Sequence, residues 1–267
     1  MLLDGPFATD LQSRSLWGPT PARKPFMLDT MNRTEVIQSL LSRRRDPTYL
    51  EIGVEMGLVL LALRAGRKIA VDPEFKIPWR DRFLAYFRHR SNRSISYFAE
   101  TSDDFFANHA SALSDGIDVA FVDGLHTHEQ AHRDVVNCLK YLKPSGVIVM
   151  HDCLPPHAAA ALAGPSLRAV EALEAPGWTG EWTGDVYKSV MQLRAERSDL
   201  NVFVLDCDYG IGIVEWGQPE TTLEMNLADI SALSFEEFSK HQQEYLNLKP
   251  AECFSSWLNS RSVAAAD

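Results

Sequence analysis

Two short apolar runs in the middle of the chain each end in side chains suited to acid–base or cation chemistry. Ile117 to Val122 delivers Asp123-Gly124-Leu125-His126, and Val147 to Met150 delivers His151-Asp152. Both runs read as strands. In an open α/β sheet, ligands bind just outside the carboxyl ends of the strands, so Asp123, His126 and Asp152 are expected to gather there. His151 would point the opposite way from Asp152 if the strand continued. A hydroxyl is a poor nucleophile until its proton leaves. A positioned base typically contributes ~10²–10⁴ in rate, and a metal lowers the hydroxyl's pKa further.

A second constellation lies upstream. Tyr49-Leu50-Glu51-Ile52-Gly53-Val54-Glu55-Met56-Gly57 reads as strand, glycine turn and helix start, the opening of a nucleotide-binding α/β unit. Gly53 lets the backbone turn tightly and approach a ligand. The free N–H groups of the next helix offer a weakly positive end. The spacing is Gly-x-x-x-Gly, not Gly-x-Gly-x-x-Gly, and Glu51 would repel a pyrophosphate. Asp72 ends the second strand, 21 residues after Glu51, where an acid commonly binds the two hydroxyls of a ribose. Any cofactor that carries a ribose is suited by that carboxylate.

These groups need a frame. Asn32 with Glu35 predicts a capping box opening a helix with the stripe Val36, Ile37, Leu40 and Leu41. Strands are predicted over 48–54, 68–71, 94–99, 117–122 and 147–150, with helices over 56–64, 104–112 and 166–173. Thr101 or Ser102 suits a helix cap, and Thr127 with Gln130 suggests a second capping box. The stretch 74–93 is both basic and aromatic, and Phe83, Leu84 and Phe87 fit one helix face covering the sheet. The sharper alternative is a wall for an anionic acceptor. His128 and His132 are one helical turn apart, but without the H-E-x-x-H pattern they read as structural. A short helix over 189–197 and a hairpin of 201–205 and 211–216 follow, then an amphipathic tail over 227–246.

The chain has 267 residues, a formal charge of −10 and a pI near 5.3. That composition predicts no global attraction to nucleic acid or an anionic membrane. Met1-Leu2-Leu3-Asp4 lacks a secretory n- and h-region, and no apolar run approaches the ~18 residues of a membrane span. Cys138, Cys153, Cys207 and Cys253 lack C-x-x-C spacing and fit reduced thiols in a cytoplasm.

The Tyr49–Gly57 pattern resembles motif I of class I S-adenosylmethionine-dependent methyltransferases, whose cationic cofactor suits an acidic strand end. Phe121 to His126, the helix after it, and Leu142-Lys143-Pro144-Ser145-Gly146-Val147-Ile148 with its acidic strand end resemble the same class. In particular they resemble the subgroup of macrocin- and mycinamicin-type sugar O-methyltransferases and cephalosporin hydroxylase-like proteins, over roughly residues 48–153. Trp182 to Lys188 and Asp206 to Gly212 are similar to further members. The resemblance implies an α/β fold, a Rossmann-like seven-stranded sheet with the last strand antiparallel and helices on both faces. It implies S-adenosylmethionine framed by Glu51, Gly53, Gly57, Asp72, Thr101 and Asp123, with His126 as base. It also implies Mg²⁺ or Mn²⁺ on Asp123, Asp152 and His151, although histidine at 151 departs from the family's acidic pair. Lys188 would approach the acceptor. The expected organisation is an irregular arm over 1–30, a methyltransferase domain over 31–217 and a helical extension over 218–267. The expected partner is a small-molecule acceptor such as a sugar or natural product, with no nucleic acid, no membrane, and self-association into a homo-oligomer. The alternatives are an NAD-dependent oxidoreductase and a non-catalytic, oligomerising member of the fold.

Overall fold

The computed structural model describes residues 31–261; the arm expected over 1–30 lies outside them. The capping box at Asn32 and Glu35 opens α1 (Arg33–Leu41), whose buried stripe is Val36, Ile37, Leu40 and Leu41. Then come β1 (Thr48–Ile52), α2 (Leu58–Ala62), β2 (Arg67–Val71), α3 (Trp79–Arg88), β3 (Ser96–Phe98) and α4 (Ser102–Asn108). The central part is β4 (Ile117–Val122), α5 (His128–Leu139) and β5 (Leu142–Met150). After α6 (Leu167–Glu171) and α7 (Val186–Glu196), β6 (Leu200–Asp206) and β7 (Ile211–Trp216) form the expected hairpin. The chain continues through α8 (Leu227–Ala232), α9 (Phe235–Tyr245), β8 (Leu248–Pro250) and α10 (Cys253–Ser260).

All eight strands join one sheet in the order β3-β2-β1-β4-β5-β7-β6-β8. The first five are parallel, and β7 runs antiparallel to both β5 and β6. The expected seven strands become eight because Leu248–Pro250 pairs parallel with β6. The antiparallel strand is therefore seventh rather than last. The order in which strands are added reverses between β1 and β4, the topological switch at which such sheets bind ligands.

Strand alternation sorts the core into two layers. Leu50, Ile52, Ile148 and Met150 face one cluster, with residues of α5, α7 and α9. Tyr49, Val147 and Val149 face the other, with α1, α2 and Phe254 of α10. Helices thus cover both faces. The exception is α3. The face expected to cover the sheet is turned outward, with Phe83, Leu84 and Phe87 exposed and only Ala85 of that helix buried. Cys138, Cys153 and Cys207 are buried free thiols and Cys253 is exposed. Among the described residues, no helix is long and apolar enough to cross a membrane.

Candidate active site

The carboxyl ends of β1, β4 and β5 meet through a glycine. Gly53 follows β1 with φ +83°, and a Cβ there would overlap the backbone of Asp123 and Gly124. The turn after β1 can therefore lie directly against the turn after β4. Gly57, also left-handed, starts α2 against Ile77. Asp72 ties the same turn down: its carboxylate accepts from the N–H groups of Val54 (2.7 Å), Glu55 (2.8 Å) and Glu74 (2.7 Å). A carboxylate has about four lone-pair sites, so one remains for a further donor. Glu51 is buried, accepts from the Tyr49 hydroxyl at 2.5 Å and lies against the Leu60 backbone. Burial pushes its carboxyl up to about 8 against the lowering effect of Tyr49. Thr101 caps α4, its hydroxyl accepting from Asp104 N–H at 3.1 Å.

Asp123, His126 and Asp152 converge. His126 Nε2 lies 3.5 Å from Asp123 and 3.3 Å from Asp152. The ligand atoms of the three residues all lie within 4.8 Å of one another. His126 Nδ1 is 3.1 Å from the Trp182 carbonyl. A carbonyl only accepts, so Nδ1 carries the proton and Nε2 is the nitrogen offered to the carboxylates. Burial alone would lower the His126 pKa, but the Asp123 hydrogen bond and the charges of Asp152 and Asp123 raise it.

His151 is not turned away. β5 stops at Met150, and Asp152 takes a left-handed φ of 58°. The alternation expected of a continuing strand is thereby broken. His151 Nδ1 lies 3.3 Å from Asp123 and 3.1 Å from Asp152. Burial lowers its pKa, but these two charges outweigh burial and raise it well above the ordinary value. The same nitrogen is 3.2 Å from Arg33 Nη1. Two flanking carboxylates favour a protonated Nδ1, so that approach to Arg33 is a close packing of cations rather than a hydrogen bond. Burial raises the Asp123 carboxyl, yet the two imidazoles hold it well below the usual carboxylate range.

Two partners of this cluster carried no role in the sequence reading. Arg33, the first residue of α1, binds Asp208 through Nε (2.9 Å), Nη2 (3.0 Å) and its backbone N–H (2.8 Å), and reaches Asp123 at 3.4 Å. Asp208 sits in the β6–β7 turn with φ 45°. That turn also fixes the Asp152 loop, since Cys153 N–H donates to Gly210 O and Leu154 N–H to Tyr209 O. Only the turn itself had a sequence signal. Arg33 had none, because its partners are 90 and 175 positions away.

The segment Trp182–Asp185 locks the His126 loop. A Cβ on Gly184 would overlap the His126 carbonyl oxygen. Asp185 accepts from His128 N–H at 2.8 Å and so caps α5, where Thr127 makes no side-chain cap. Gln130, expected in that box, instead donates to Ser102 and Asp134. His128 is buried and bonds Gln192 at 2.9 Å. Lys188 Nζ is committed to the Ser231 carbonyl at 2.8 Å.

Residues 50–153, which hold the glycine turn, Asp123, His126 and Asp152, match the model of the family described as a methyltransferase domain. The stretch that holds the site is thus similar to a methyltransferase domain. No curated protein sequence matches the chain. Among solved structures, the chain is similar to a Podospora anserina methyltransferase, PaMTH1, bound to SAH: 18% identity, 68% of this chain, 76% of that one, TM-score 0.49. It is also similar to TomG, an O-methyltransferase of Streptomyces achromogenes in complex with SAM: 16% identity, 68% and 78% coverage, TM-score 0.45. A third is a Bacillus cereus O-methyltransferase in complex with SAH: 14% identity, 70% and 82% coverage, TM-score 0.44.

Proposed function

We propose that this chain transfers the methyl group of S-adenosylmethionine to a hydroxyl of a small-molecule acceptor, a sugar or natural product. The observation that carries the reading is the meeting of Asp123, His126 and Asp152 beside the Gly53 turn, at the sheet's switch point. Gly53 and Gly57 open the turn to the cofactor's amino-acid end. Asp72 offers its remaining lone pair to the ribose, and Thr101 borders the adenine side. Glu51 stays beneath the turn and holds it from within. His126 takes the acceptor's proton at Nε2, while the Trp182 carbonyl holds the tautomer. Asp123 and Asp152 orient the ring. Most of the rate comes from holding donor and acceptor in line, worth ~7–11 kcal/mol.

The donor set fits a divalent cation. Two carboxylates with an imidazole suit Mn²⁺ or a similar transition metal, and the carboxylates alone suit Mg²⁺. Asp123 and Asp152 would hold it through their carboxylates, and His126 Nε2, within reach of both, stays free of it for the acceptor's proton. Such a cation would supply a lowered pKa for a hydroxyl brought against it.

Calorimetric titration with S-adenosylmethionine, with NAD as control, in Mn²⁺, Mg²⁺ or EDTA, tests the reading. Binding of S-adenosylmethionine in the micromolar range is expected, followed by transfer of a labelled methyl to a hydroxylated acceptor. Binding of NAD instead, or of neither, overturns it.

A further inference from the structure

The helix that covers nothing has a composition of its own. Trp79, Phe83, Leu84 and Phe87 of α3 are 74%, 58%, 66% and 64% exposed, while Ala85 is 6% exposed. Successive helical residues turn by about 100°. Trp79, Phe83 and Phe87 therefore form one stripe, and Ala85, the buried anchor, lies on the opposite side. The rings are already assembled, with Phe83 and Phe87 edge to face at 5.2 Å and Tyr86 against Phe87 at 5.3 Å. Neither core layer contains a large side chain of α3. The helix is held instead by polar ties. Asn92 donates to the carbonyls of Ala85 (2.9 Å) and Leu61 (3.0 Å), and the Arg82 guanidinium lies over Tyr97 at 4.4 Å.

Charge selects what this stripe meets. Lys76, Arg80, Arg82, Arg88, Arg90 and Arg93 surround it, with Asp81 the single acid between 76 and 93, in a chain whose net charge is −10. A second copy of the same patch would set arginines against arginines. Residues 1–30 balance Asp4, Asp10 and Asp29 with Arg14, Arg23 and Lys24, so they bring no net negative charge. An anionic bilayer offers both an apolar interior for the rings and phosphates for the guanidinium groups. We propose that α3 is an interfacial helix that docks the chain on an anionic lipid surface. This inference stands apart from the transfer chemistry. The segment leading into α3 is nonetheless tied to the cofactor turn, since Lys76 N–H donates to Glu55 O at 2.9 Å and Ile77 packs on Gly57. Docking therefore brings the mouth of the site to the lipid surface.

The test is flotation of the full chain with vesicles of phosphatidylcholine alone or mixed with phosphatidylserine. Binding to the mixed vesicles only, weakened by high salt, is expected. The exposed double variant Phe83→Ser/Phe87→Ser should lose it by at least about tenfold while keeping its circular dichroism and its affinity for S-adenosylmethionine. Failure of the full chain to float with either vesicle overturns the proposal, as does undiminished binding by the double variant. Self-association that the double variant abolishes, without vesicle binding, assigns the stripe to a second copy and overturns it equally.

Discussion

At the scale of single residues, the site is a balance of carboxylates against imidazoles. His126 and His151 have raised pKa values, while Asp123 and Asp208 are held low by His151, His126 and Arg33. The histidines stabilise the fold fully below their unfolded value of ~6.5, and that contribution is lost as pH rises through their raised folded values. The aspartates contribute above ~3.9, and theirs is lost on acidification. Melting temperature in EDTA should therefore fall on the alkaline side as well as the acid side. Mn²⁺ must displace imidazolium protons to bind the same carboxylates, so its affinity should rise with pH and the alkaline loss should flatten. A metal affinity independent of pH would contradict the placement of the cation on Asp123 and Asp152. His126→Ala removes the proton acceptor but none of the groups around the glycine turn. Turnover should fall by ~10²–10⁴ with the affinity for S-adenosylmethionine unchanged; unchanged turnover would remove His126 from the mechanism.

At the scale of elements, turns rather than helices and strands hold the site. Gly53 and Gly184 are irreplaceable for the same two reasons, a left-handed backbone and a neighbouring backbone where a Cβ would stand. Gly184→Ala should cost about 1–3 kcal/mol in backbone strain alone, and it should push on the His126 carbonyl. Urea unfolding will give the first effect. A drop in turnover larger than the unfolded fraction explains will give the second. Asp185→Ala, which uncaps α5, should cost about 1 kcal/mol. The two strand ends and the glycine turn were legible in the sequence because apolar runs stop at glycine or acid within a few residues. The capping box at Asn32 was legible for the same local reason. What could not be read locally was the direction of His151, which depends on Asp152 adopting a left-handed φ. Nor could Arg33–Asp208, which joins the first helix to the last hairpin. The outward face of α3 also escaped, because apolar spacing marks a face but does not say whether the sheet receives it.

At the scale of the whole molecule, the C-terminal segment and the site are mechanically continuous. β8 completes the sheet beside β6. Ile230, Phe238 and Leu246 lie in the same core layer as α5 and α7. The Phe238 ring is 4.0 Å from Tyr187 at the start of α7, and Lys188 ties that turn to the Ser231 carbonyl. Tyr187 follows Asp185 and Gly184, which hold the His126 loop. A cavity at Phe238 should therefore be felt at His126, through contacts that involve no residue of the glycine turn. Phe238 is fully buried, so Phe238→Ala should cost about 3–5 kcal/mol. At a temperature where the variant remains folded, it should keep its affinity for S-adenosylmethionine, because Gly53, Asp72 and Thr101 are untouched, and lose turnover. Equal losses of cofactor affinity and turnover would mean instead that the C-terminal helices support the domain as a whole. The pairing of calorimetry with single-turnover rates on this one variant separates the two.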